Sequence, residues 1–166
     1  IVMHGALDLR VEERAPATPG PEEVSIAIRR GGICGSDLHY YQHGGFGTIR
    51  LKEPMILGHE IAGEVAAIGA KVTGLKVGDR VAVNPSRPCK VCAYCQAGMQ
   101  NHCLDMRFYG SAMRFPHVQG GFREMLVCDA AQAMTSATVP AQTSSPPASP
   151  PSGPRSMIQS DARITS

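Results

Sequence analysis

Four of the six cysteines in this 166-residue chain lie within fifteen consecutive positions, in the pattern C-x2-C-x2-C-x7-C. They are Cys89, Cys92, Cys95 and Cys103. Zinc in structural sites prefers four ligands in a tetrahedron and binds thiolates readily, so this set leaves no position for water. The longer spacer contains Gly98, whose freedom in φ helps the chain return to the fourth ligand position. The pattern therefore predicts a closed structural zinc site in a cysteine lobe at residues 86–104.

Three other chemistries could use four cysteines: two disulfides, a redox-active C-x-x-C pair, or an iron–sulfur cluster. Disulfides belong to oxidising compartments. Nothing marks this chain as secreted, so we predict a reducing, cytoplasmic setting. No βαβ pattern surrounds the cysteines, as a redox pair would favour. An iron–sulfur cluster accepts the same ligands, and only ligand preference favours zinc over it.

Cys34 and His59 are a second pair of metal-ligand types. A lone cysteine is most often a small buried apolar residue, and a lone histidine is most often a hydrogen-bonded structural residue. Here Gly58-His59-Glu60 joins two ligand types in one tight segment, and glycine-rich turns flank this segment and Cys34. This context favours a metal site without excluding the structural roles.

Short strands must position these side chains. Apolar and polar residues alternate in several segments that Gly and Pro interrupt, which is typical of a mainly β domain with a barrel or sandwich architecture. The predicted strands span residues 7–12, 23–29, 61–68, 81–83 and 124–128.

Glycines and capping residues set the predicted boundaries of these elements. Gly31-Gly32 is expected to end the strand at 23–29. Residues 44–47 are expected to form a flexible loop, and 76–80 a turn. Ser36-Asp37 is predicted to cap a short helix that runs through Tyr41.

The composition limits the classes of partner. The formal net charge is +2, so no strong field draws the chain to nucleic acid or to an anionic membrane. No apolar run approaches the roughly 20 residues that span a bilayer. The apolar fraction of 43% is ordinary for a globular protein, and the length suits one compact domain.

The composition changes at Met134. Ser, Thr and Pro make up more than half of residues 134–166, which contain no Cys, His or aromatic residue. Such a segment buries too little apolar surface to offset its ordering entropy. We therefore predict a folded domain at 1–133 and a disordered or non-native tail at 134–166.

Three motifs stand in order along the chain. The first is Gly32-Ile33-Cys34-Gly35-Ser36-Asp37-Leu38-His39-Tyr40-Tyr41. The second is Gly58-His59-Glu60-x2-Gly63-x5-Gly69-x2-Val72, followed by Gly78-Asp79-Arg80-Val81, and the third is the cysteine lobe. Together they resemble the catalytic domain of the zinc-dependent medium-chain alcohol dehydrogenases over about residues 1–133. Two segments, His39-Tyr40-Tyr41 and Asp105-Met106-Arg107-Phe108, are similar to the polyol branch, which includes sorbitol dehydrogenase and L-idonate 5-dehydrogenase.

The resemblance implies a fold and a site. The fold would be a GroES-like, partly open β-barrel with short helices and a zinc lobe. A catalytic zinc, the second zinc of the chain, would bind Cys34, His59 and Glu60, with Glu60 either a third ligand or a neighbour of the metal. The resemblance also implies that Ser36 and His39 form a proton relay. Asp37 would be a carboxylate that braces the histidine ligand, and Tyr40 would contact the polyol.

The implied activity is oxidation of a secondary alcohol on a polyol or sugar acid, with NAD or NADP as the hydride acceptor. Members of the family are often homo-oligomers. The family continues into a Rossmann domain with a G-x-G-x-x-G turn, and the chain has no such motif. We therefore expect no cofactor-binding residue here and no activity from this chain alone.

Three explanations of the missing motif remain open: a fragment, a natural truncation, or a frameshift near Met134. The sharp end of the resemblance favours a frameshift or a fragment. The alternative function is a non-catalytic GroES-like module with only the structural zinc. Metal content separates the two functions, because the dehydrogenase domain would hold two zinc ions and the structural module one. A zinc-ribbon nucleic-acid binder is disfavoured by the near-neutral charge.

Overall fold

The structure, a computed structural model, describes residues 1–135. These residues form short strands and two α-helices. The strands are β1 (Val2–Gly5), β2 (Asp8–Arg10), β3 (Glu23–Gly32), β4 (Gly45–Phe46), β5 (Ile49–Arg50), β6 (Met55–Ile56), β7 (Glu60–Ile68), β8 (Arg80–Val83), β9 (Ser86–Arg87), β10 (Arg107–Phe108), β11 (Met125–Asp129) and β12 (Ala133–Thr135). The α-helices are α1 (Gly35–His43) and α2 (Ala93–Gln96).

A five-stranded antiparallel sheet forms the centre of the domain, in the order β11-β3-β7-β8-β12. Alternate residues of its strands point into one hydrophobic core, as the period of a half-buried strand requires. The buried members of this core are Val24, Ile26, Ile61, Val65, Val81, Val83, Tyr109, Leu126, Cys128 and Ala133. The described part of the chain is mostly sheet and does not close into a barrel, which confirms the predicted fold class.

A second, smaller core joins the helix α1 to the strand β6. Strand β6 belongs to a three-stranded sheet in the order β2-β1-β6. The buried members of this core are Met3, Tyr40, Met55, Leu57 and Ala112. Because α1 begins beside Cys34 and β6 leads to His59, this core holds together the two segments that carry the candidate metal ligands.

The predicted strands at 23–29, 61–68, 81–83 and 124–128 correspond to β3, β7, β8 and β11. The predicted strand at 7–12 is shorter in the structure. It becomes β2, which pairs with β1 after a turn where Leu7 has a φ of 59°. The loop predicted at 44–47 contains β4, which pairs with β5.

Strand β3 ends at Gly31-Gly32, as predicted, but it includes both glycines rather than stopping before them. Strand β3 continues through both glycines, which pair with Ile61 and Glu60 of β7. A Cβ on Gly32 would lie 2.4 Å from Glu60 Oε2. The missing side chain therefore makes room for the Glu60 carboxylate over the end of β3, close to Cys34.

The predicted short helix exists as α1, with different ends. Cys34 is its N-cap, rather than Ser36-Asp37, and the helix extends two residues beyond Tyr41 to His43. Asp37 contributes from the first turn, where its Oδ2 accepts a hydrogen bond from the Cys34 N–H at 2.9 Å. A carboxylate in the first turn also interacts favourably with the helix dipole.

The predicted tail begins inside an ordered strand. Met134 and Thr135 belong to β12, which pairs with β8. The remainder of the predicted tail lies outside the described residues, so the division at residue 133 stays a prediction. Within residues 1–135, no helix is long and apolar enough to cross a membrane.

Candidate metal centres

The cysteine lobe brings its four sulfur atoms within 4.8 Å of one another. Cys92 is the N-cap of the short helix α2, and Cys95 lies within that helix. Cys103 follows a single 3-10 turn at Gln100–His102. Gly98 has a φ of 78°, as expected for the residue that turns the chain back towards the fourth ligand.

The cysteines of the lobe are not joined by disulfides. All six cysteines of the chain are free, and the Cys89 and Cys95 sulfurs lie 4.0 Å apart. A disulfide bond is about 2.05 Å long, so the cluster does not have the geometry of a covalent pair.

Backbone N–H groups point at several of these sulfurs. The Cys89 N–H donates to Cys103 Sγ at 3.1 Å, and the Cys92 N–H donates to Cys89 Sγ at 3.3 Å. The backbone N–H groups of Leu104 and Cys95 lower the pKa of Cys92 to about 6. The Cys89 N–H likewise lowers the pKa of Cys103.

The pKa of Cys95 is shifted in the opposite direction. Burial, together with the neighbouring Cys92 and Cys103 sulfurs, raises its pKa to about 12. The lowered pKa values favour the thiolate forms of Cys92 and Cys103. The raised pKa of Cys95 means that a further negative charge in the lobe is unfavourable without a cation. This is the electrostatic environment in which a divalent metal ion stabilises a set of four thiolates.

A second cluster brings together residues from two distant segments. The ligand atoms of Cys34, His59 and Glu60 lie within 4.8 Å of one another. Cys34 follows β3, and His59 and Glu60 stand at the start of β7. The His59 side chain is only 11% exposed, and its ring centroid lies 5.2 Å from that of Phe108.

Asp37 connects the two segments of this cluster. Its Oδ2 accepts the hydrogen bond from Cys34, and its Oδ1 accepts one from the Gly58 N–H at 3.1 Å. Oδ1 also lies 3.8 Å from His59 Nδ1. One buried carboxylate therefore orients the backbone at both candidate ligands and faces the imidazole.

Gly58 is a position that only glycine suits. Its φ is 92°, and a Cβ there would lie 2.3 Å from the Phe122 ring. Phe122 was not singled out by the sequence, although it packs over the turn that presents His59. A lone phenylalanine carries no sequence signal for such a role.

The residues present fit a metal ion. His59 Nδ1 is buried and has no hydrogen-bond partner in the described part of the chain. This nitrogen faces Asp37 Oδ1 at 3.8 Å, which would leave the other ring nitrogen, Nε2, for an ion. Thiolate, imidazole and carboxylate groups together are ligands that zinc accepts.

Ser36 and His39 lie one turn apart on α1. Ser36 is half-buried, whereas His39 is exposed and its ring centroid lies 5.3 Å from that of Phe46. Within residues 1–135, no hydrogen bond joins the two side chains. Their role in a proton relay stays a prediction.

Tyr40 lies in the second hydrophobic core rather than at the metal cluster. It is 5% exposed, and its hydroxyl oxygen accepts a hydrogen bond from the Ala112 N–H at 3.0 Å. The predicted contact of Tyr40 with a polyol stays a prediction. In the nine-residue helix α1, Tyr40 faces the interior, whereas the adjacent His39 faces outward.

Comparisons with known proteins give the domain its family. The alcohol dehydrogenase GroES-like domain matches residues 20–140. L-idonate 5-dehydrogenase (NAD(P)(+)) of Escherichia coli K12 is 52% identical over 107 residues, which cover 64% of this chain and 31% of that protein. Sorbitol dehydrogenase of Gallus gallus is 50% identical over 101 residues, which cover 61% and 28%.

Solved structures agree with this assignment. The crystal structure of the E. coli L-idonate 5-dehydrogenase superposes with a TM-score of 0.75 at 44% identity, covering 81% of this chain and 38% of that one. An alcohol dehydrogenase of E. coli CFT073 in complex with NADH gives a TM-score of 0.68 at 34% identity, covering 81% and 36%.

The chain belongs to the alcohol dehydrogenase GroES-like domain family, which confirms the predicted relationship to zinc-dependent medium-chain dehydrogenases. Its relatives are dehydrogenases of polyols and sugar acids. The chain spans about a third of the length of the curated relatives that it matches.

Proposed function

We propose that this chain is the zinc-binding catalytic domain of a dehydrogenase that oxidises a secondary alcohol of a polyol or sugar acid, with NAD(P)+ as the hydride acceptor. The observation that carries the proposal is the cluster of Cys34, His59 and Glu60 donor atoms within 4.8 Å. A purely structural module has no need of a second ligand cluster. The names of two similar proteins, an L-idonate 5-dehydrogenase and a sorbitol dehydrogenase, support the same class of substrate.

Cys34, His59 and Glu60 would hold the catalytic zinc. A zinc ion bound there would supply Lewis acidity, which lowers the pKa of a bound alcohol so that it ionises near neutral pH. Glu60 is exposed, so it lies at the side of the cluster that is open to a small molecule. Three protein ligands leave the open position that substrate requires.

Asp37 would act on the ligands rather than on the substrate. Its carboxylate is 4% exposed and already holds the backbone of Cys34 and Gly58. A carboxylate facing the second nitrogen of a ligand histidine sets the orientation of the ring and raises its basicity. Asp37 is therefore proposed as the residue that prepares His59 for the metal.

Ser36 and His39 are proposed to carry the alcohol proton to solvent. Ser36 is half-buried near the Cys34 end of α1, and His39 is exposed one turn further on. A hydroxyl followed by an imidazole is a sequence of groups that can pass a proton outwards. The side chains must approach each other, or share a water molecule, when substrate is bound.

The four cysteines of the lobe are proposed to bind a structural zinc. All four ligands are thiolates, so this ion would stabilise the lobe and take no part in the reaction. A reducing cytoplasm keeps the thiols available, and we propose that compartment. The nicotinamide site is proposed to lie in a Rossmann domain of the full-length family, so this chain alone would not turn over. Homo-oligomers are expected for the full-length proteins only.

Zinc content tests the proposal directly. The purified chain is expected to bind two zinc ions by atomic emission, and Cys34→Ala is expected to bind one while keeping its circular dichroism. Cys128→Ala is the matched control, because Cys128 lies in the hydrophobic core away from both clusters. One zinc ion in the unchanged chain would instead support the non-catalytic module.

A further inference from the structure

We propose that Arg30 recognises a carboxylate of the substrate, so that the domain acts on polyols that carry an acid group rather than on neutral polyols. This inference rests on the proposed function, because it takes the Cys34–His59–Glu60 cluster as the place where the alcohol binds. It adds a specificity-determining residue to that site.

Arg30 shares a cavity with two of the candidate ligands. The cavity has a volume of about 520 Å³, and its lining includes Arg30, Gly32, His59 and Glu60. Pockets for small-molecule ligands commonly have volumes of about 300–1,000 Å³. The cavity is therefore large enough for a six-carbon substrate with one end at the metal cluster.

The pairing of β3 with β7 explains why Arg30 points there. Gly32 pairs with Glu60, and Arg30 pairs with Ala62. Residues two apart on a strand face the same side of a sheet, about 7 Å from each other. Because Gly32 has no side chain, the Glu60 carboxylate lies over it, on the same side of the sheet as Arg30.

The charge of Arg30 has no partner in the described part of the chain. Its Nη1 donates a hydrogen bond to the Arg29 carbonyl oxygen at 2.8 Å, and no carboxylate of residues 1–135 forms an ion pair with it. The adjacent Arg29 differs, because its Nη2 and Nε donate to Glu64 Oε2 at 3.0 and 3.3 Å. Of two neighbouring arginines, only Arg30 keeps most of its donors for a ligand in this cavity.

A carboxylate is the ligand that suits these donors. The planar guanidinium group presents parallel N–H donors that match the two oxygens of a carboxylate. The remaining lining near Arg30 is largely apolar, from Ala62, Ala82 and Val83, and offers a neutral hydroxyl little to bind. The Glu60 carboxylate would repel an acidic substrate, and the positive charge of Arg30 offsets this repulsion.

Two six-carbon probes test the inference. D-gluconate and sorbitol differ at one end, where gluconate has a carboxylate and sorbitol a hydroxymethyl group. We expect the zinc-loaded chain to bind gluconate about tenfold more tightly than sorbitol in low-salt calorimetry. The difference should shrink as salt is added, because exposed charges are screened. Zinc content is measured after each titration to exclude removal of metal by gluconate.

Two matched variants assign the effect to one arginine. Arg30→Gln is expected to abolish the preference for gluconate while leaving sorbitol binding and zinc content unchanged. Arg29→Gln removes the same charge from the neighbouring position and should retain most of the preference. A purely structural role for Arg30 would weaken the binding of both probes together.

The outcomes separate this inference from the proposed function. Two zinc ions with equal binding of both probes would overturn the inference and leave the proposed function standing. Equal loss in Arg30→Gln and Arg29→Gln would also overturn it, as would loss of zinc from Arg30→Gln, which would make Arg30 a partner of Glu60. A single zinc ion per chain would overturn both.

Discussion

At the scale of single residues, the buried carboxylate of Asp37 links two parts of the chain that are distant in sequence. It accepts hydrogen bonds from the Cys34 and Gly58 backbone N–H groups, and it faces His59 Nδ1. Each candidate ligand segment therefore depends on the same side chain. Removing one acceptor leaves a buried donor unsatisfied, which costs about 1–3 kcal/mol.

Asp37→Asn tests this dependence. The two backbone N–H groups donate to different carboxylate oxygens, and the amide replaces one of these oxygens with an NH2 donor, so one N–H group loses its acceptor. We expect a loss of about 1–3 kcal/mol of unfolding free energy in urea and a weaker hold on the second zinc ion. Asp79→Asn is the control, because Asp79 accepts a backbone hydrogen bond from Lys76 in an exposed turn. Similar losses in both variants would contradict the linking role of Asp37.

Gly58→Ala tests the turn before His59. The alanine Cβ would meet the Phe122 ring at a φ that non-glycine residues rarely adopt. We expect about 2–5 kcal/mol of destabilisation, together with loss of the second zinc ion. Gly74→Ala provides the comparison, because Gly74 has a φ of 79° with no neighbouring atom within 4 Å. The Gly74→Ala variant should lose only about 1–2 kcal/mol of unfolding free energy and keep both zinc ions. Equal effects of the two substitutions would show that the φ angle alone matters at Gly58.

At the scale of elements, the cysteine lobe and the central sheet obtain their stability from different sources. The lobe at 86–104 has one four-residue helix and one 3-10 turn. Most of its larger apolar side chains are exposed, among them Val91, Met99 and Leu104. The sheet instead buries alternate residues of β3, β7 and β8 in a continuous core. A metal ion is thus expected to stabilise the lobe and to matter little for the sheet.

Cys89→Ser is expected to unfold the lobe and to spare the sheet. The amide protons of residues 86–104 should lose protection in hydrogen exchange, while those of β3 and β7 should remain protected. Zinc content should fall from two ions to one, because the remaining ion would be held by Cys34, His59 and Glu60. Loss of protection throughout the domain would mean that the lobe is required for the fold of the sheet.

At the scale of the whole molecule, the chain belongs to the alcohol dehydrogenase GroES-like domain family, and its match covers about a third of the length of its curated relatives. Hydride transfer needs a bound nicotinamide, and dinucleotides bind where a glycine-rich turn meets a helix N-terminus. No G-x-G-x-x-G motif occurs in the chain. We therefore expect this chain to bind substrate without catalysing hydride transfer.

The zinc-loaded chain should bind sugar acids but form no NADH from gluconate or sorbitol and NAD+. The absorbance of NADH measures the reaction, and calorimetry with NAD+ should detect no binding. The E. coli L-idonate 5-dehydrogenase, assayed with its own substrate, confirms that the assay works. Steady formation of NADH by this chain would contradict the prediction.

Local patterns in the sequence were sufficient for much of the fold and for one metal centre. Alternation of apolar and polar residues predicts β3, β7, β8 and β11, because the strand period is expressed within a few residues. The four cysteines of the lobe lie close in sequence, so their spacing alone predicts their proximity. The residue types and glycine-rich context of Cys34 and His59 favoured a second centre, but its catalytic role was predicted only through the resemblance to a family, since the two residues come from distant segments.

Tertiary structure decided what depends on contacts between distant segments. Gly32 belongs to β3 because it pairs with Glu60 of the neighbouring strand, whose carboxylate occupies the space of a side chain. Tyr40 packs in a core with Met55 and Leu57, which nothing near it in sequence indicates. Arg30 keeps an unpaired charge while Arg29 does not, because Glu64 on β7 reaches only Arg29. Local sequence encodes period and spacing, whereas burial and ion pairing depend on which segments the fold brings together.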